Sequence, residues 1–156
     1  MPGPDQFPDM SDYRVRRLVF RLDRVIPSDV TLLDDAVREI TAALIRTACW
    51  GGVEADVESI ELVVAEALAN AIVHGNHCDP EKTVRISVAV SESCDLLVSV
   101  KDSGSGFDPS RLPNPLAAEN LLSPHGRGIL LIRQLMDEVY FKFDHGTEVC
   151  MRRRQR

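Results

Sequence analysis

Three polar side chains, Glu66, Asn70 and His74, recur at four-residue spacing and could do chemistry together. They interrupt residues 56–76, a stretch that is otherwise apolar almost all the way round a helix and is therefore predicted to be buried. Side chains four residues apart lie nearly above one another on a helix, so the three should form one polar line. Burying an unpaired carboxylate costs on the order of several kcal/mol, so we expect a polar partner to face this line.

A second carboxylate, Asp102, is predicted to be buried at the end of a strand. Leu96, Val98 and Val100 form the apolar face of that strand, and Asp102 has the same parity. Two glycines follow it, and another glycine pair precedes an apolar helical pattern. Such pairs let the backbone approach a ligand closely, and the unpaired N–H groups at a helix start favour phosphate. The pairs are Gly104 with Gly106 and Gly126 with Gly128.

The second glycine pair is not specific when it is taken alone. Gly-Arg-Gly at 126–128 then fits a left-handed turn or tight packing better than a ligand site. The Walker phosphate-binding pattern is absent, and no dinucleotide fingerprint follows a first strand. If the chain binds phosphate, it must therefore do so by another design.

The elements that must position these residues follow from hydrophobic periodicity. Residues 107–125 contain four prolines, and so long a loop in a compact domain is typical of a functional lid. Residues 1–12 are predicted to be a disordered arm, and residues 13–156 a single domain. The predicted strands lie near 17–22, 84–90, 96–102 and in a closing hairpin over 139–151. One further helix is predicted from a cap signal at Pro-Ser-Asp 27–29 to about Cys49, and another over 129–137.

Composition limits the class of protein. The 156 residues carry a formal charge of −6, which argues against direct nucleic-acid binding, and the basic tail at 151–156 is interpreted as frayed and solvated. No apolar run approaches the roughly 18 residues needed to span a bilayer, and the N-terminus lacks signal-peptide features. The cysteines show no paired motif, so we expect reduced core thiols in a cytoplasmic protein. They are Cys49, Cys78, Cys94 and Cys150.

Three sequence boxes carry a family resemblance: E-A-L-A-N-A at 66–71, D-S-G-S-G at 102–106 and G-R-G at 126–128. They resemble the boxes of the GHKL (Bergerat-fold) ATPases, which include gyrase, heat-shock chaperone, histidine kinase and mismatch-repair ATP-binding domains. The small size and the closing G-T-E-V-C-M are most similar to bacterial anti-sigma-factor serine/threonine kinases, and the resemblance covers residues 15–153. It implies an α/β (α+β) two-layer sandwich with the histidine-kinase-like ATPase fold, in which a mixed, mostly antiparallel sheet carries helices on one face.

The resemblance also implies roles for the site residues. Asn70 would bind a Mg²⁺ ion that bridges the ATP phosphates, and Glu66 would act as general base toward the attacking hydroxyl. Asp102 would accept a hydrogen bond from the adenine amino group, and Thr147 would help to hold the adenine. The glycines would line the ligand: Gly104 and Gly106 at the base, and Gly126 and Gly128 at the phosphates.

Several residues keep alternative interpretations. Glu66 could cap a helix or pair with an arginine, and Arg127 could contact phosphate or face solvent. His74 fits a structural or ligand-edge role better than a catalytic one. A zinc site at His77 and its neighbours is disfavoured, because no fourth soft ligand stands at a standard spacing.

The function that the resemblance implies is an ATP-dependent protein serine/threonine kinase that acts as an anti-sigma factor. Such a protein would phosphorylate an anti-anti-sigma antagonist, sequester a sigma factor and form a homodimer, without contacting nucleic acid or membrane directly. A non-catalytic ATP-binding switch that controls a partner by docking is the alternative. A histidine-kinase fragment is disfavoured because no helix with a phosphoacceptor histidine precedes the domain.

Overall fold

The computed structural model describes residues 17–51, 54–104 and 127–155. The predicted arm at 1–12 and the predicted lid at 107–125 lie outside the described residues, so both, and the single-domain division, stay predictions. The elements in chain order are β1 (Leu18–Pro27), a 3₁₀ turn (Val30–Leu32), α1 (Leu33–Ile45), α2 (Glu54–Ala69), a π-helical segment (Asn70–Gly75), β2 (Thr83–Ser91), β3 (Leu96–Lys101), α3 (Arg127–Leu135), β4 (Glu138–Lys142) and β5 (Glu148–Arg153).

Five strands form one open sheet in the order β1-β2-β3-β5-β4, and all four described pairings are antiparallel. The predicted hairpin between β2 and β3 closes through the Ser91 amide, which donates to the Asp95 carbonyl at 3.0 Å. The predicted closing hairpin is formed by β4 and β5. The two-layer sandwich is confirmed, and every sequence-predicted strand is present.

One face of the sheet carries the core, because strand residues alternate between apolar and polar. On β2, Val84, Ile86 and Val88 are at most 1% exposed, whereas Arg85 between them is exposed. The same apolar cluster takes in residues of all three helices, and α2 packs between α1 and α3. The helices therefore cover one face of the sheet, with α2 in the middle of their layer. The prediction that the central helix is buried almost all the way round is wrong, because Leu62 is exposed.

The first helix begins as predicted but ends sooner. The Asp29 carboxylate accepts a hydrogen bond from the Thr31 amide at 2.9 Å and caps the 3₁₀ turn that leads into α1. The helix ends at Ile45, not near Cys49 as predicted. The Thr47 hydroxyl donates to the Leu44 carbonyl at 2.7 Å, and a threonine bond of this kind competes with helix continuation.

The expectation of four reduced core thiols is wrong. Cys49 and Cys94 form a disulfide with their Cα atoms 5.3 Å apart, although 45 residues separate them in sequence. The fold places the turn after α1 beside the β2–β3 turn, a proximity that no sequence spacing encodes. The other two cysteines are not disulfide-bonded: Cys150 is buried as expected, but Cys78 is exposed.

The basic C-terminal residues are not frayed, contrary to the interpretation of the sequence. Arg152 and Arg153 belong to β5, and Arg152 contacts Asp95 at 2.6 Å with both side chains at most 15% exposed. Arg153 pairs with Asp56 at the start of α2. Carboxylates contributed by other elements, and not solvent, therefore balance these charges. Within the described ranges, no helix is long and apolar enough to cross a membrane.

Candidate functional site

Asp102 is a buried carboxylate that backbone groups hold in place. It follows β3 directly and is 5% exposed, as its parity predicted. Its Oδ1 atom accepts hydrogen bonds from the Gly104 amide at 2.9 Å and the Thr147 amide at 3.0 Å. The Asp102 amide in turn donates to the Thr147 carbonyl at 3.0 Å. Among the described residues nothing donates to Oδ2, so this oxygen can accept a hydrogen bond from a ligand.

Three glycines allow the backbone to close around Asp102. A Cβ atom at Gly75 would overlap the Asp102 carboxylate, and one at Gly104 would overlap the Gly75 carbonyl oxygen. Gly146 has a φ of 122°, and a Cβ atom there would overlap the Asp102 carbonyl oxygen. Sequence reasoning identified Gly104 but missed Gly75 and Gly146. The only signal for them was their position, directly after the polar line on α2 and directly before Thr147.

A second group of residues forms where α3 begins against α2. A Cβ atom at Gly128 would stand 2.6 Å from Glu66 Oε2 and 3.3 Å from Asn70 Nδ2, so the three residues meet at one point. Both polar side chains are half-buried, and neither has a hydrogen-bond partner among the described residues. Arg127 opens α3 and is exposed. The helix start, a carboxylate and an amide therefore converge.

A π-helical segment begins at Asn70, the second residue of the polar line predicted on the central helix. From Asn70 to Gly75 the chain is π-helical, with wider turns that are shown by the Asn76 amide donating to the Ala71 carbonyl at 2.9 Å. His74 lies within this segment and is exposed, whereas Glu66 and Asn70 are half-buried. That all three residues share one line stays a prediction. Such π segments often occur at functional sites.

The residues present are suited to Mg²⁺ and phosphate. Mg²⁺ prefers oxygen ligands and commonly takes one or two from protein and the others from phosphates and water. Glu66 and Asn70 supply a carboxylate and an amide oxygen, and the first turn of α3 presents amide groups that favour an anion. The described residues contain no group of three or more His, Cys, Asp or Glu side chains that could hold a metal ion.

The structure places most, but not all, of the predicted site residues. Asp102, Gly104 and Thr147 lie together, and Thr147 acts through its backbone and is 9% exposed. Gly106 and Gly126 lie outside the described residues, so their contacts stay predictions.

Comparison with known proteins agrees with this geometry. The family described as histidine kinase-like ATPase domain matches residues 26–153. An anti-sigma F factor of Clostridium perfringens is 32% identical over 103 residues, which cover 64% of this chain and 73% of that protein. A serine-protein kinase RsbW of Bacillus licheniformis is 33% identical over 102 residues, 62% of this chain and 63% of that one.

Solved structures share the fold. The RsbU and RsbW domains of a Mycobacterium tuberculosis protein superpose with a TM-score of 0.58 at 17% identity. The match covers 87% of this chain and 32% of that longer chain. The resemblance drawn from the three sequence boxes is confirmed, and the chain belongs to the histidine kinase-like ATPase domain family.

Proposed function

We propose that this protein is an ATP-dependent protein serine/threonine kinase that acts as an anti-sigma factor. The observation that carries the proposal is that Glu66, Asn70 and Gly128 meet at one point, while two backbone amides hold Oδ1 of the buried Asp102 carboxylate. Relatives named anti-sigma F factor and serine-protein kinase RsbW support the choice within the family.

The adenine end of the site is assigned to Asp102. Its Oδ1 is occupied by two backbone amides, which leaves Oδ2 to accept a hydrogen bond from the adenine amino group. Gly75 and Gly104 let the backbone lie directly against the carboxylate and against each other, where a Cβ atom would overlap existing atoms. Thr147 supports the base indirectly, because its amide fixes the orientation of the carboxylate.

The phosphate end is assigned to the contact between α2 and α3. Asn70 would hold Mg²⁺, which neutralises charge that develops on the transferred phosphoryl group. The amide groups at the start of α3 would bind phosphate oxygens, and Gly128 lets α3 lie close to Glu66 and Asn70. Glu66 accepts the proton of the attacking serine or threonine hydroxyl. Its carboxylate is available for this role because it has no hydrogen-bond partner among the described residues.

Nucleotide binding is the first test. Calorimetry with purified protein should show binding of Mg·ATP and of ADP, and Asp102→Asn should abolish it. The circular-dichroism spectrum of the variant should match that of the wild type, because an amide keeps the acceptor toward Gly104 and Thr147. Absence of adenine-nucleotide binding by the wild type would refute the proposal.

A pair of variants separates the metal site from the base. Asn70→Ala should weaken Mg²⁺-dependent nucleotide binding. Glu66→Ala should retain binding but lower phosphoryl transfer by the roughly 10²–10⁴-fold that general bases contribute. Equal loss of nucleotide affinity in both variants would contradict this division of roles.

The proposed partners are a sigma factor, held across a homodimer in the cytoplasm, and an antagonist that carries the phosphorylated serine or threonine. The complex with the sigma factor and the complex with the antagonist must differ in nucleotide preference. A partner that binds the ATP-bound and ADP-bound protein equally well cannot be controlled by the nucleotide. Pull-downs from native cells with ATP or ADP, followed by phosphosite mapping, test this. Partners recovered equally with both nucleotides and without phosphorylation would favour the non-catalytic switch instead.

A further inference from the structure

Asn76 is a buried polar residue that the roles proposed above do not use. It follows the π-helical segment and is 0% exposed. Its Nδ2 donates to the Ser28 hydroxyl at 2.6 Å and to the Thr83 carbonyl at 2.9 Å, and its Oδ1 accepts from the Ser103 amide at 2.9 Å. One side chain therefore ties together the end of β1, the start of β2 and the residue that follows Asp102.

The chemistry of the partners fixes the orientation of the amide. The Ser103 amide can only donate, so the reverse orientation of the Asn76 amide would set two donors against each other and leave the Ser103 amide without an acceptor. The Thr83 carbonyl can only accept, and it would keep only its bond from the Ser103 hydroxyl at 2.8 Å. No other common side chain of this size offers an acceptor and two donors in one plane. The site thus requires an amide and not merely a polar residue.

The network leads directly to the proposed adenine site. Ser103 lies between Asp102 and Gly104, whose amide holds Asp102 Oδ1. Gly75, the neighbour of Asn76, lies against both the Asp102 carboxylate and the Gly104 backbone. Asn76 therefore fixes the loop after β3 from one side while the Thr147 amide fixes the Asp102 carboxylate from the other.

We propose that Asn76 is a positioning residue for base recognition: it holds the Ser103 amide so that Asp102 Oδ2 faces the 6-amino group of the purine. The inference rests on the proposed nucleotide site. It assigns Asn76 no contact with the ligand. Its consequence is that selectivity for adenine over bases without the 6-amino group depends on a residue buried behind the site.

Base selectivity separates positioning from simple stabilisation. The probes are Mg·ATP and Mg·inosine triphosphate, in which an oxygen replaces the 6-amino group. A variant that is merely unstable loses apparent affinity for both nucleotides by the same factor, because only the folded fraction binds either. The ratio of the two dissociation constants is therefore independent of stability, and only displacement of Asp102 changes it.

The test compares Asn76→Ala with Ser28→Ala in the full chain. Asn76→Ala should weaken ATP binding roughly tenfold more than inosine triphosphate binding, the factor expected when one hydrogen bond to a charged group is lost. Ser28→Ala removes a partner of the same amide but leaves the Ser103 bond in place, so it should lower the melting temperature without changing the ratio. Asn76→Ser, which keeps a hydroxyl near Ser103, should give an intermediate ratio of the two dissociation constants. It replaces Asn76→Ala in the test if the alanine variant does not fold.

The outcomes distinguish this inference from the proposed function. Wild-type protein that binds neither nucleotide contradicts the proposed function itself. Wild-type protein that prefers ATP, with an unchanged preference in the Asn76 variants, overturns only the positioning role. A change of ratio in Ser28→Ala as large as in Asn76→Ala also overturns it, because the effect would then belong to the network as a whole.

Discussion

Gly128→Ala should raise stability slightly and still reduce phosphoryl transfer. Gly128 lies inside α3 and has no left-handed φ, so alanine gains up to about 1 kcal/mol of helix propensity. The new Cβ atom would stand 2.6 Å from Glu66 Oε2, and ordinary contact begins near 3.4 Å, so the carboxylate must retreat by about 0.8 Å. It can do so, because it is the end of a flexible side chain. Misplacement of a catalytic group by about 1 Å can cost roughly 10²-fold in rate, so transfer should fall by about 10- to 100-fold.

The assay for Gly128→Ala has three readouts: the melting temperature, the ADP affinity and the rate of γ-phosphate release at saturating Mg·ATP. We expect a melting temperature within about 4 °C of the wild type, little change in ADP affinity and a lower rate. The matched control is the same substitution in a Glu66→Ala background, where no carboxylate remains to be displaced. There Gly128→Ala should cost nothing further, since the two changes act through one contact. An equal additional loss in that background would refute the reasoning.

Three further predictions test other contacts. Gly75→Ala should abolish nucleotide binding in calorimetry, because its Cβ atom would overlap the Asp102 carboxylate, which two backbone amides hold in place. Cys49→Ser removes a cross-link that spans 45 residues and should lower the free energy of unfolding in urea by roughly 2–4 kcal/mol; the difference from wild type should vanish in reductant. The Arg21 guanidinium lowers the pKa of Asp23 below its ordinary 3.8, so the pair stabilises the fold above that pH and the contribution is lost as the pH falls through the lowered value. Because the Asp23 side chain is 49% exposed, Asp23→Asn should change the free energy of unfolding at pH 7 by less than about 1 kcal/mol. Measured against pH, the free energy of unfolding of this variant should fall less steeply in acid than that of the wild type.

Local patterns were sufficient to predict most of the architecture. Strict alternation placed the strands, and the parity of Asp102 with Val100 predicted its burial because adjacent strand residues face opposite sides of the sheet. Four-residue spacing predicted that Glu66 and Asn70 would share a face of the central helix, and both do meet Gly128. These successes depend on the interval between residues within one element, which the sequence contains directly.

The features that escaped prediction are contacts between distant elements. The Cys49–Cys94 disulfide and the pairing of Arg152 with Asp95 join residues that are 45 and 57 positions apart. Gly75 matters because the Asp102 side chain, which comes from another segment, lies directly against it. Neither spacing nor residue type encodes such proximity, because it results from how the helix layer docks on the sheet.

The π-helical segment explains how one helix can serve both ends of the site. Asn70 faces the start of α3, whereas Gly75 must lie against Asp102. On a continuous α-helix, a residue five positions along is rotated by about 140° from the first, which would turn Gly75 well away from the side that carries Asn70. A turn that closes with an i+5 bond brings it back toward that side, as the Asn76–Ala71 bond shows. The wider turn therefore sets the register of Gly75 and Asn76, and with it the position of the loop that carries Asp102.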